Sequence, residues 1–146
     1  MAQAFLNSGY GVIVLDPLAD PAWPATFKTT DPTEFLSVFK KSRRCFVFID
    51  EAGKSVGRFD SEMEQTATMG RHFGHSCFYL SQRAKQINLT VRDQCSYLAL
   101  FTSSLEDSKI HANEWNHQEL TGAYKLPKGQ YFYCDRFNPV KLRKIF

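Results

Sequence analysis

Cys45-Phe-Val-Phe-Ile-Asp50-Glu51 sets five apolar residues in a row against two adjacent carboxylates. A run with no polar alternation has both faces dry, which predicts a central strand of a parallel sheet covered by helices on each side. Working outward, Gly11-Val-Ile-Val-Leu-Asp16 predicts a second buried strand that also ends in an acid. His75-Ser-Cys-Phe-Tyr-Leu-Ser81 and Tyr97-Leu-Ala-Leu-Phe-Thr102 predict two more.

Helical segments fall between these runs. In Asp31-Pro-Thr-Glu34, Asp31 is the expected cap and Pro32 the first helical residue, with Glu34 reaching back to complete the box. That helix is expected to end near Ser42 and to bury Phe35, Leu36 and Phe39. A second helix is expected from Asp60 to about His72, and a third after the capping box Ser103-Ser-Leu-Glu106, through about His117. Pro17, Pro21 and Pro24 argue against any regular element between Pro17 and Thr30. Gly129–Cys134 and Val140–Ile145 predict a closing hairpin of two edge strands. The expected fold is therefore α/β, a mostly parallel sheet with flanking helices and a C-terminal β-hairpin, with residues 1–146 as a single domain.

Composition limits the alternatives. The chain has 146 residues, 43% of them hydrophobic, and a formal charge of +3, too small to diagnose a nucleic-acid partner by itself. The excess of positive charge lies entirely after residue 60. The four cysteines, at 45, 77, 95 and 134, are too widely spaced for a zinc site and suit reduced thiols. His111 and His117 have no companion ligand set and are expected to be solvated. No apolar run approaches the roughly 20 residues of a membrane span, and no basic-then-apolar leader opens the chain. A cytoplasmic protein is expected, in the host cytoplasm if it is viral.

Ligands on parallel sheets gather at the carboxyl ends of the strands. That rule draws Asp16, Asp50-Glu51, Ser81-Gln82-Arg83 and Thr102-Ser103 to one rim. There Asp50 can hydrogen-bond water on a phosphate-bound metal ion, and Glu51 can orient and deprotonate an attacking water. An Asp-Glu pair that merely caps a turn is the plain alternative. Gln82 would stand beside them if its strand neighbours theirs, and its amide both donates and accepts. Arg83-Ala-Lys-Gln-Ile-Asn-Leu-Thr-Val-Arg92 holds three basic residues and no acid, and reads as a loop. Its Lys85 and Arg92 are the candidate contacts to DNA phosphates. In Tyr131-Phe132-Tyr133, alternation puts the tyrosines on one face, with base stacking as the lesser alternative to core packing. Lys141, Arg143 and Lys144 suit nucleic-acid contact or an edge strand that resists aggregation.

Together, Val12-Ile-Val-Leu-Asp16, Cys45 to Glu51, Leu80-Ser-Gln-Arg83 and Thr90-Val-Arg-Asp-Gln-Cys95 resemble, in order and spacing, the FtsK/HerA-type P-loop ATPases. These include DNA translocases and viral DNA-packaging ATPases, and the resemblance covers residues 1–105. It implies a RecA-like core that binds Mg2+ and ATP and acts on double-stranded DNA as a ring of like subunits or with a partner ATPase chain. Asp50 would serve the metal ion, Glu51 would activate water, Gln82 would sense phosphate, and Arg83 or Arg92 would stabilise charge across a subunit boundary. The family's G-x-x-x-x-G-K-[ST] loop is missing ahead of Val12. Gly53-Lys54-Ser55 is no substitute, because Phe48 stands where the first glycine belongs. The expectation is thus an N-terminally truncated core unable to hydrolyse ATP alone: a fragment, a shortened relative, or one piece of an assembled ATPase. A non-catalytic nucleic-acid- or protein-binding module derived from that fold is the alternative. A small enzyme using Asp50-Glu51 with another cofactor is a third.

Overall fold

The computed structural model describes residues 1–50 and 60–146, and the side chains of all of these except 60–63. They divide into two compact units, Met1–Ser81 with Gln86–Val91, and Gln82–Lys85 with Arg92–Phe146.

The first unit is a four-stranded, wholly parallel sheet. β1 (Val12–Leu15) and β3 (Phe46–Ile49) lie at its centre, flanked by β2 (Phe27–Thr29) and β4 (Ser76–Tyr79), in the order β2-β1-β3-β4. Alternation divides the central strands between two cores. Val12, Val14 and Phe48 pack with Ala2, Phe5 and Leu6 of α1 (Ala2–Asn7), whereas Ile13, Leu15, Val47 and Ile49 pack with Phe35, Leu36 and Phe39 of α2 (Pro32–Lys41). Each fully buried Phe or Leu contributes about 1.5–3 kcal/mol, which is why β1 and β3 hold no polar residue.

α2 begins as expected, with Asp31 accepting a hydrogen bond from the Thr33 amide at 2.9 Å and Pro32 in the first turn. Glu34 differs: its carboxylate accepts from the Thr29 hydroxyl, and that hydroxyl accepts from the Asp31 amide. The proline-rich segment also holds more than expected. The prolines end at Pro24, and Phe27–Thr29 then pairs with Ile13–Leu15 as a short edge strand that exists through this pairing alone. α3 (Asp60–Met69) passes into a tighter turn over Gly70–Phe73.

The second unit contains a three-stranded antiparallel sheet of order β5-β6-β7, from β5 (Leu98–Leu100), β6 (Gln130–Cys134) and β7 (Lys141–Lys144). The hairpin is present, but β6 is central because β5 pairs with it and not with the parallel sheet. Thr102 and Ser103 therefore follow a strand of the second sheet and not, as expected, one of the parallel sheet. The expected 83–92 loop is ordered into a short turn at Ala84–Gln86 and the start of α4 (Leu89–Gln94). α5 (Leu105–Trp115) is capped by Ser104, one residue later than expected, with the Ser104 hydroxyl accepting from the Asp107 amide at 3.1 Å. Leu100, Ala112, Trp115, Leu120, Ala123 and Cys134 form this unit's core.

Candidate functional site

At the carboxyl edge of the parallel sheet, the Asp50 amide donates to the Leu15 carbonyl and the Leu80 amide to the Ile49 carbonyl, both at 2.9 Å. β4 is thus the neighbour of β3, and Asp16, Asp50 and Ser81 stand at the ends of adjacent strands. The two aspartates differ in employment. Asp16 is buried and its carboxylate accepts from the amides of Leu18 and Asp20, closing the proline turn. Asp50 is half-buried, and one carboxylate oxygen accepts from the Trp23 indole N–H at 3.1 Å.

Trp23 is a site residue that sequence reasoning missed. Its ring packs on Phe48, 5.3 Å between centroids, so the side chain that walls the strand also orients its terminal acid. The two partners lie 27 positions apart, and no local pattern signals the contact. A hard carboxylate at a strand end fits an Mg2+ ion, which keeps most of its water and takes one or two carboxylates along with substrate phosphates. Glu51, and with it Gly53, Lys54 and Ser55, lies outside the described residues. Among the described residues no group of three or more His, Cys, Asp or Glu side chains is placed to hold a metal ion.

Gln82, Arg83, Lys85 and Arg92 belong to the second unit, where Gln82 is exposed. Arg83 and Lys85 gather at the start of α5: Lys85 Nζ lies 2.8 Å from Glu106, and Arg83 Nε 3.4 Å from Asp107. Burial pushes the Asp107 carboxyl up, but the Ser104 hydroxyl, the Ala84 amide and the Arg83 guanidinium outweigh it and hold it below its ordinary value. Arg92 is more enclosed. Its guanidinium grips both Glu114 oxygens at 2.6 and 3.0 Å and donates to the Ala84 carbonyl at 2.7 Å.

By sequence, neither a family model nor a curated protein matches the chain. By structure, it is similar to the genome packaging NTPase B204 from Sulfolobus turreted icosahedral virus 2. The match to the AMPPCP complex has a TM-score of 0.78 at 14% identity and covers 98% of this chain and 86% of that one. The chain shares the fold of that protein. The ATP-gammaS complex matches at TM-score 0.76 and 14% identity, over the same shares of the two chains. The DNA-packaging ATPase B204 from Sulfolobus turreted icosahedral virus matches at 0.77 and 12%, again over 98% and 86%. The likeness covers residues of both units, whereas the sequence resemblance stopped at residue 105.

The histidines depart from expectation. His117 hydrogen-bonds the Asp135 carbonyl at 2.8 Å, and His111 is half-buried with Nδ1 unpartnered. Burial pushes the His111 pKa down; Glu114 opposes this, Arg92 adds to it and Asp107 opposes it. The folded chain thus keeps this imidazole neutral where the unfolded chain protonates it. Stability is expected to fall as pH drops below about 6.5, the unfolded value, and to be unaffected by this group above it. Urea midpoints of the wild type should decline between about pH 6.5 and pH 5.5, and His111→Gln should flatten that decline. No disulfide joins the cysteines, and burial pushes the Cys134 thiol up to about 11, away from thiolate reactivity. Among the described residues no helix is long and apolar enough to cross a membrane.

Proposed function

We propose that this chain forms the magnesium-and-water half of the ATPase core of a DNA-packaging or DNA-translocating motor. The observation that carries the reading is Asp50: a half-buried carboxylate oriented by Trp23 at the carboxyl edge of the parallel sheet. The sheet belongs to a fold otherwise seen in NTPases crystallised with ATP analogues.

In this reading Asp50 accepts hydrogen bonds from water on a nucleotide-bound magnesium ion, Glu51 takes the proton of the attacking water, and Gln82 senses the terminal phosphate. Magnesium would supply charge neutralisation on the phosphates. Arg83, more than half exposed, is better placed than Arg92 to reach a neighbouring subunit's nucleotide. Lys85 is the candidate for double-stranded DNA phosphates, in a ring of like subunits or beside a partner ATPase chain, and Arg92, its guanidinium held by Glu114, is less available to them than the sequence suggested. No G-x-x-x-x-G-K-[ST] motif occurs in the sequence, and the reading takes the phosphate-binding loop from another segment or chain. That requirement favours, as a second reading, a non-catalytic nucleic-acid-binding module on the same fold.

The test is anisotropy of a fluorescent ATP analogue, titrated with the protein in Mg2+ and in EDTA. Binding is expected to depend on Mg2+ and to weaken roughly tenfold in Asp50→Asn, as for other groups that hold a metal's water shell. Equal affinity in EDTA, or in an Asp50→Asn protein of unchanged melting temperature, would contradict the assignment.

A further inference from the structure

On β6, Phe132 and Cys134 point into the second unit's core, so Tyr131 and Tyr133 point outward. The register sets Ala99 against Tyr133 on one side, and Lys141 and Arg143 against Tyr133 and Tyr131 on the other. Alternation along the β5 segment brings Tyr97 and Phe101 to the same face as Ala99. The rings meet across the strands in two stacked pairs, Tyr97 on Tyr133 at 5.7 Å and 9°, and Phe101 on Tyr131 at 4.8 Å and 28°. Tyr97 is 61% exposed, Phe101 43% and Tyr133 36%, and all of β7 is exposed.

We infer that this outer sheet face is a binding platform for single-stranded nucleic acid. Cross-strand aromatic pairs stabilise a sheet, yet that purpose does not call for rings this exposed beside two cations. The face offers what an unpaired strand requires: flat π surfaces for its bases and positive charge for its phosphates. Tyr131 and Tyr133 stand about 7 Å apart along β6, which gives successive bases separate platforms, and the small Ala99 side chain leaves room between them. Duplex DNA turns its base faces inward, so the rings favour a single strand. A second copy of this chain is a poor occupant, because symmetric pairing would bring Lys141 and Arg143 against themselves. No acid stands among the seven outward residues. Asp135, the next position on the strand, is engaged with the Phe137 and Asn138 amides and the Asn138 side chain. The inference does not rest on nucleotide hydrolysis, and it holds for a chain that never turns ATP over.

The experiment is anisotropy of a fluorescein-labelled oligothymidylate of about 20 nucleotides, a length that exceeds one sheet's footprint. It is compared with a duplex of equal length, without nucleotide and over a range of salt. The oligothymidylate is expected to bind more tightly than the duplex. Tyr97→Ala with Tyr133→Ala should weaken it roughly tenfold, and the corresponding Tyr→Phe pair should leave it unchanged. Lys141→Gln with Arg143→Gln, on a strand whose side chains are all exposed, should make the salt dependence shallower. The inference is overturned by no binding at low salt, or by equal affinity in a folded Tyr→Ala protein. A sedimenting dimer that only the Tyr→Ala pair dissociates would equally overturn it, in favour of a second copy.

Discussion

Arg92→Ala is expected to lower the unfolding free energy by about 3 kcal/mol, the lower end of the cost of stripping one partner from an enclosed ion pair. The two side chains are only 14% and 17% exposed, and the guanidinium is the donor to both Glu114 oxygens and to the Ala84 carbonyl. Alanine leaves those three acceptors with little water to replace it. Lysine at this position keeps the charge but loses the planar fork, so Arg92→Lys should fall between the two. Replacing both partners, as Arg92→Met with Glu114→Leu, should recover much of the loss, since no unpaired charge is left behind. By contrast, Lys85 and Glu106 are both more than half exposed, and Lys85→Ala should cost less than about 1 kcal/mol. Urea denaturation of the four variants decides this. An Arg92→Ala cost no greater than that of Lys85→Ala would mean the pair is solvated in solution and does not hold the 83–92 segment in place.

The parts of the fold that the sequence disclosed are those written locally. Val12–Leu15 and Phe46–Ile49 are apolar on both faces because both are covered, and Asp31-Pro32 starts a helix through contacts within three residues. What stayed hidden depends on partners far along the chain. Phe27–Thr29 is a strand only against Ile13–Leu15, and Leu98–Leu100 joined the second sheet because its partner is Phe132 to Cys134. An apolar run of three residues does not say which sheet it will enter. The Arg83–Arg92 segment read as a solvated loop because it holds three basic residues and no acid; their acidic partners lie beyond residue 100, at Glu106, Asp107 and Glu114. The site divided in the same way. Asp50 was marked by the strand it terminates, whereas Trp23, which orients it, and the outward pairing of Tyr97 with Tyr133 needed the register.

The second large effect concerns Glu51, the residue that follows Asp50 in the sequence. If it takes the proton of the attacking water, Glu51→Gln keeps the shape of the side chain and removes its basicity. General-base catalysis is worth about 100- to 10,000-fold, so turnover should fall by at least about 100-fold while nucleotide binding persists. Asp50→Asn should differ, losing Mg2+-dependent binding itself, and the two variants together separate the carboxylates' roles. The most direct measurement is magnesium-dependent ATP hydrolysis by the protein, with and without double-stranded DNA, in wild type and Glu51→Gln. Any turnover is expected to require Glu51 and to rise with duplex; hydrolysis that survives Glu51→Gln undiminished would rule out Glu51 as the base.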